Sequence, residues 1–303
     1  MKRLLALCGI GASLAVTGAT DTQSAPPPTL LTYAVESSGS LCLARADGSR
    51  RIRLTGGKDQ APSWSPSGRR VVFSRQVGTA ARILVADARG RVIRGLTQAG
   101  AFADPAWSPD GKRIAYVARE GRSRIVIVST AGRALGELVA PPGAVISRPA
   151  WAPNSPRIAY AEDIETDLTG TSRIVVANAD GTGQRVLMSQ ASDPAWSPNG
   201  SKIAFVGYPS RLSETGSIMV ANADGSGTQH ITAAARPESQ PAWSPGGQRI
   251  AFTRVSGGKS TIVVARADGS GERVAVGARG YGAVDPAWRP AVLLPKARRA
   301  ACS

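Results

Sequence analysis

Six tryptophans divide this chain of 303 residues into near-equal parts, and no other feature of the sequence constrains its fold as strongly. They are Trp64, Trp107, Trp151, Trp196, Trp243 and Trp288, spaced 43, 44, 45, 47 and 45 residues apart. Each follows a proline by two positions, in "APSWSPSG", "DPAWSPDG", "RPAWAPNS", "DPAWSPNG", "QPAWSPGG" and "DPAWRPAV". Copies of one segment fold as copies of one unit, and a repeat of roughly 40–45 residues that reads as four strands is a propeller blade.

The four strands follow from local chemistry. Strand A is the Pro-x-Trp segment, ending in Ser-Pro-Asp-Gly, where proline presets φ at the second turn position and glycine accepts the conformation of the fourth. Strand B reads "RIAYVA", "KIAFVG", "RIAFTR" or "RVVFSR", and strand C "RIVIVST", "RIVVANAD", "SIMVANAD" or "TIVVARAD". These β-branched and aromatic runs suit sheets covered on both faces. Asn/Arg-Ala-Asp-Gly, as at Asp180-Gly181 and Asp224-Gly225, supplies residues that tolerate φ > 0 for the C–D hairpin. Strand D is short, as in "RRIRLT".

The ends set the blade count. The repeat opens at "LLTYAVESSGSLCLARADGSRRIRLT", which is B, C and D without A, and closes at "DPAWRPAV", which is A alone. The expected fold is therefore all-β: a six-bladed β-propeller over residues 29–290, made of four-stranded antiparallel blades. The C-terminal strand A joins the N-terminal strands B–D, and closure hides the edges an open array would expose.

The "PAWSPDGKRIAY" segment followed by Ala-Asp-Gly resembles the TolB-type propeller repeat, a relative of the WD-repeat class, over roughly residues 29–290. The resemblance implies a periplasmic, non-catalytic scaffold that binds a protein or cell-envelope component. In the TolB family the propeller binds the peptidoglycan-associated lipoprotein at its channel mouth, and an added N-terminal α/β domain contacts the rest of the Tol system. Here only "TDTQSAPPPT" lies between the N-terminal segment and the first strand, so that α/β domain is expected to be absent. A shared propeller by itself does not fix function.

The N-terminal segment has a basic start at Lys2 and Arg3, an apolar run from Leu4 to Val16 and the small residues Thr17-Gly18-Ala19, the plan of an export signal. The expected division is a signal peptide at 1–19, a Pro-rich linker at 20–28, the propeller, and a basic tail at 291–303. The apolar run is shorter than the roughly 20 residues that span a bilayer. An exported monomer, periplasmic or extracellular, with no transmembrane segment in its mature form, is expected. Two cysteines then remain, Cys42 and Cys302, and an oxidising compartment permits one disulfide between them.

Catalytic signals are sparse. The single histidine, His230, falls in an outer D strand, no serine sits in a nucleophile elbow, and no Cys/His cluster can assemble a common zinc site. A non-catalytic binding module is the expectation. The alternative is a propeller hydrolase or lyase using paired channel-mouth carboxylates.

Those carboxylates are Asp104, Asp193 and Asp285, each three residues before a tryptophan in alternate blades. The equivalent positions elsewhere are Ala61, Arg148 and Gln240, so one ring would read Ala, Asp, Arg, Asp, Gln, Asp. Asp104, Arg148, Asp193, Gln240 and Asp285 are the expected partner-binding residues. Asp-Pro turn chemistry accounts for the same aspartates, as does a hard cation such as calcium; no other cofactor is expected.

The connections of an antiparallel blade fall on two faces, D–A with B–C and A–B with C–D. The aspartate ring is expected on the first, beside the two longest B–C loops, 162–172 and 208–217, of which the first is acidic through Glu162, Asp163, Glu165 and Asp167. The second carries much of the net charge, +16 for the chain and +14 without Lys2 and Arg3, through residues such as Arg69, Arg70, Lys112, Arg113, Arg157, Arg185, Lys202 and Arg249. An exported basic protein rarely meets nucleic acid, so an anionic envelope polymer is the alternative partner for this face.

Overall fold

A computed structural model describes residues 29–166, 169–210, 213, 215–233, 236–277, 282–290 and 302. The expected signal peptide and linker lie outside the described residues, as does the tail apart from Cys302. The described residues form six four-stranded antiparallel sheets, each ordered A-B-C-D. Blade 1 joins Ala283–Arg289 to Leu30–Val35, Leu41–Arg45 and Ile52–Arg53, so the C-terminal strand closes the ring as the sequence requires. Blades 2 to 6 start at Asp59, Phe102, Ala144, Ala191 and Glu238, and each runs continuously in sequence.

The core has no single centre. Six apolar clusters occupy the six junctions between neighbouring blades. Side chains alternate across a strand, so Val71 and Phe73 of blade 2 face blade 1 while Val72 faces blade 3. Each fully buried aliphatic or aromatic side chain of this kind contributes about 1.5–3 kcal/mol, and the same alternation is repeated at Ile250, Ala251 and Phe252 in blade 6.

Two local expectations change. At the C–D turns positive φ falls on glycine, 85° at Gly181, with Arg50 of blade 1 the exception, and the Gly181 amide donates to the Asn178 carbonyl at 2.9 Å. The Asp180 carboxylate accepts the Thr182 amide at 2.9 Å, which holds the preceding residues in ordinary right-handed geometry. The second change concerns the acidic loop 162–172, which is mostly strand. Arg157–Thr166 and Thr169–Asn178 form one long hairpin that carries blade 4 outward. Glu162 lies opposite Arg173 in this ladder and pairs with it, so one of the four acids of the segment is neutralised across the strands. Residues 167–168 lie outside the described residues, as do side-chain details of Glu165.

Candidate functional site

Strand A of every blade carries one extra residue relative to strand B, seen as a register shift in the pairing. The extra residue is the ring residue in each case. Ala61, Asp104, Arg148, Asp193, Gln240 and Asp285 all take φ between 48° and 58°. Left-handed backbone costs an L-residue about 1–2 kcal/mol, least for aspartate, so a sixfold repetition demands compensation. A β-bulge re-aims a side chain, and here it aims each ring side chain inward and along the ring. Asp-Pro is thus a mid-strand bulge and not a turn.

The compensation runs from blade to blade. The Arg148 amide donates to Asp104 Oδ2 at 3.2 Å, the Gln240 amide to Asp193 Oδ2 at 2.8 Å, the Asp285 amide to Gln240 Oε1 at 3.0 Å and the Ala61 amide to Asp285 Oδ2 at 3.0 Å. Each ring side chain therefore satisfies the bulged amide of the next blade. Ala61 carries no side-chain acceptor and Arg148 only donors, so four of the six junctions are linked this way.

Arg148 supplies the centre. Its Nη1 lies 3.0 Å from Asp285 Oδ1 and 3.6 Å from Asp104 Oδ1, and its Nε lies 3.7 Å from Asp193 Oδ1. Burial by itself would lower the Arg148 pKa, but the charges of Asp104, Asp285 and Asp193 outweigh it and hold the guanidinium firmly protonated. Burial raises Asp193 above the usual carboxylate range, and the Arg148 charge and the Gln240 amide only partly offset this. With 31% of its side chain exposed, Arg148 remains reachable along the channel. Three carboxylates against one guanidinium leave the ring with a formal charge of −2.

A cavity of 410 Å³ starts at this ring and is lined by the Pro-x-Trp segments of strand A. It runs toward the tryptophan end, where the A–B turns lie. The ring is therefore midway along the channel, with the cavity on the side opposite the B–C loops. Among the described residues no group of three or more His, Cys, Asp or Glu is arranged to hold a metal ion. His230 sits exposed on the D strand Gln229–His230 of blade 5, with Nδ1 3.2 Å from Ser217 Oγ, far out on the blade from the ring.

Sequence reasoning missed two sets of residues. The first is the pairing of buried acids with arginines in the even blades, Asp59 with Arg75 at 2.6 Å, Glu162 with Arg173, and Glu238 with Arg254 at 2.8 Å, of which the sequence had singled out Glu162 alone. They alternate with the ring aspartates of blades 1, 3 and 5. The signal was an acid in strand A or B facing an arginine on the adjacent strand. The second is Arg289, in the position where four other repeats have the Ser of Ser-Pro and the fifth has Ala152. It is 2% exposed, donates from Nε and Nη2 to the Gly68 carbonyl at 3.0 and 2.8 Å, and stacks 4.5 Å from the Trp64 ring. The same blade holds Cys42 paired with Cys302, Cα atoms 6.2 Å apart.

A closed ring of six four-stranded blades around a channel, with strand A innermost, defines a six-bladed β-propeller. A model of the TolB β-propeller domain matches residues 43–210, and the chain belongs to that family. Among solved structures it is similar to TolB from Acinetobacter baumannii, at 18% identity and a TM-score of 0.70, covering 87% of this chain and 67% of that one. It is also similar to a putative TolB from Agrobacterium tumefaciens, at 18% identity and a TM-score of 0.59, covering 83% and 90%. An oligogalacturonate lyase in complex with manganese is similar at 18% identity and a TM-score of 0.52, covering 82% and 72%. At such identities the likeness is one of fold. A search of curated protein sequences returns no significant match.

Proposed function

We propose that the chain is an exported, non-catalytic binding module, periplasmic or extracellular, that holds a protein or cell-envelope component at its central channel. The observation that carries this reading is the engagement of the ring acids. Each aspartate gives one oxygen to a backbone amide and holds the other beside Arg148, so both oxygens are already engaged within the ring. A paired-carboxylate hydrolase or lyase needs one acid and one base free to exchange protons with substrate. The ring instead presents a preorganised, net negative surface around a partly exposed guanidinium, which suits a partner segment carrying a cation or backbone amides. The Cys42–Cys302 pairing supports an oxidising compartment. Among the described residues no helix is long and apolar enough to cross a membrane.

The test is binding of the purified partner by a variant with asparagine at all three ring aspartates. Asparagine keeps an acceptor for the neighbouring amide and tolerates left-handed φ, so the bulges survive while the charge is lost. Each charged hydrogen bond removed should weaken binding by about 1.5–3 kcal/mol. Unchanged affinity in a folded triple variant would sink the channel reading.

A further inference from the structure

We propose that the junction between blades 5 and 6 is a binding subsite for an anionic saccharide, with the indole of Trp243 as its platform. A cavity of 520 Å³ lies there on the A–B/C–D side, lined among others by Trp243, Asn199, Ser201, Lys202, Gln229 and Gly246. This volume is within the roughly 300–1,000 Å³ usual for small-molecule sites. The site is separate from the channel ring.

Two features set this junction apart from its counterparts, the partial exposure of its tryptophan and the glycine in its turn, and its cation is placed differently from those at two of them. Trp243 is the only one of the six repeat tryptophans that is not fully buried; the other five are 7–9% exposed. At two other junctions an arginine covers the ring: Arg113 sits 4.7 Å above Trp151 and Arg289 4.5 Å above Trp64. Lys202 holds the repeat position of Arg113, the first residue of strand B, but its Nζ turns to Asn222 Oδ1 at 3.4 Å. Finally, the A–B turn of blade 6 is Ser-Pro-Gly-Gly. The third position is Ser67, Asp110, Asn154 and Asn199 in the other turns, and Gly246 leaves it without a side chain, with nothing within 4 Å of where a Cβ would stand.

These features together define a ligand chemistry. An indole face carries negative π density that attracts the positively polarised C–H bonds of a pyranose ring. The Asn199 side-chain NH2 and the Gln229 amide can donate to ring hydroxyls, and the Ser201 hydroxyl oxygen, whose proton goes to Asn199 Oδ1, can accept. Lys202 is the one charged residue among those described as lining the cavity, and no carboxylate opposes it. An uncompensated ammonium beside an aromatic platform selects an acidic sugar over a neutral one. The exposed Arg185 and Arg249 on the same face add a field of the same sign. Carboxylate and phosphate would serve the ammonium equally, so the shared chemistry is the anionic pyranose.

The experiment is calorimetric titration of the full chain with an oligo-uronate, with the same oligosaccharide as its methyl ester, and with a hexose 6-phosphate. Binding of the uronate, the phosphate or both supports the site, and the methyl ester should bind about tenfold more weakly than the free acid. Lys202→Gln, an exposed position, should erase that difference. Gly246→Asn should place a side chain where Gly246 lines the cavity and weaken all three probes by about tenfold or more. Asp104→Asn, in the channel, should leave them unchanged. No binding of either acidic probe at millimolar concentration, equal binding of acid and ester, or indifference to both Lys202→Gln and Gly246→Asn overturns the proposal.

Discussion

The junction between blades 1 and 2 and the junction between blades 5 and 6 are built from the same repeat, yet they depart from it in opposite directions. At the first, the repeat's serine has become Arg289, which fills the space over Trp64 and ties strand A of the split blade to the next turn. The Trp64 indole is anchored as well, donating to Thr32 Oγ1 at 2.7 Å. At the second, the turn residue is Gly246, the Lys202 ammonium bonds Asn222, and Trp243 is partly exposed at a cavity that both residues help to line. The comparison teaches that a repeat scaffold can place stability and binding at equivalent positions. The junction beside the blade that closes the ring is filled, and a junction between two blades that are each continuous in sequence holds a cavity.

The largest test of this contrast is covalent. Reducing Cys42–Cys302, or replacing Cys42 with serine, should lower stability by roughly 3–5 kcal/mol, because the bond closes a loop spanning nearly the whole propeller. Urea titration with and without reductant measures it. A change below about 1 kcal/mol would mean that noncovalent contacts alone close blade 1.

Arg289→Ala should follow, at about 3 kcal/mol, through loss of two charged hydrogen bonds and the stacking over Trp64. Lys202→Ala, the exposed cation of the other junction, should fall within about 0.5 kcal/mol of the unaltered protein. Equal effects in the same urea series would erase the distinction between a filled and an open junction.

The channel ring touches both junctions and gives a pH-dependent control. The folded pKa of Asp193 lies above the ordinary value of 3.8, so the folded state holds this proton more tightly than the unfolded chain. Its stabilising contribution is full below that ordinary value and is lost as pH rises through the raised folded value. Asp193→Asn removes this decline. The stability of the parent should therefore fall relative to the variant as pH rises from about 4 toward neutrality. Parallel profiles would show that burial does not govern this carboxylate.

The smallest effect is expected at the open junction. Gly246→Asn should stabilise by about 0.4–1 kcal/mol, since the position is not left-handed and the unfolded chain loses freedom. A loss of stability of that size would mean that Gly246 serves the turn itself and not the cavity.

The blade count, the strand order and the closure were legible because they are periodic. Pro-x-Trp, the β-branched B and C runs and Ala-Asp-Gly recur at one spacing, and "DPAWRPAV" could only complete the blade that "LLTYAV" began. The ring was legible as a list of residues, since Asp104, Asp193 and Asp285 share one offset from tryptophan. Its conformation was not. Nothing local in Ala61 or Gln240 asks for positive φ, and only the bulge common to all six strands, satisfied by the neighbouring blade, holds them there. The acidic loop was misread for the same reason, because Glu162 and Arg173 meet only when the hairpin is in register.

The sequence by itself determined a closed, six-bladed, all-β ring and named the residues that line its channel, because a repeat encodes each unit locally and its count is read directly. Tertiary structure alone decided what those residues do. Arg148 gathers three aspartates from three separate blades, Arg289 reaches the turn of a blade more than two hundred residues away in the chain, and Lys202 turns to Asn222 beside the partly exposed Trp243. Charge pairing and side-chain burial depend on through-space distance, and a propeller brings together across its junctions residues that the sequence separates by one repeat or by its whole length.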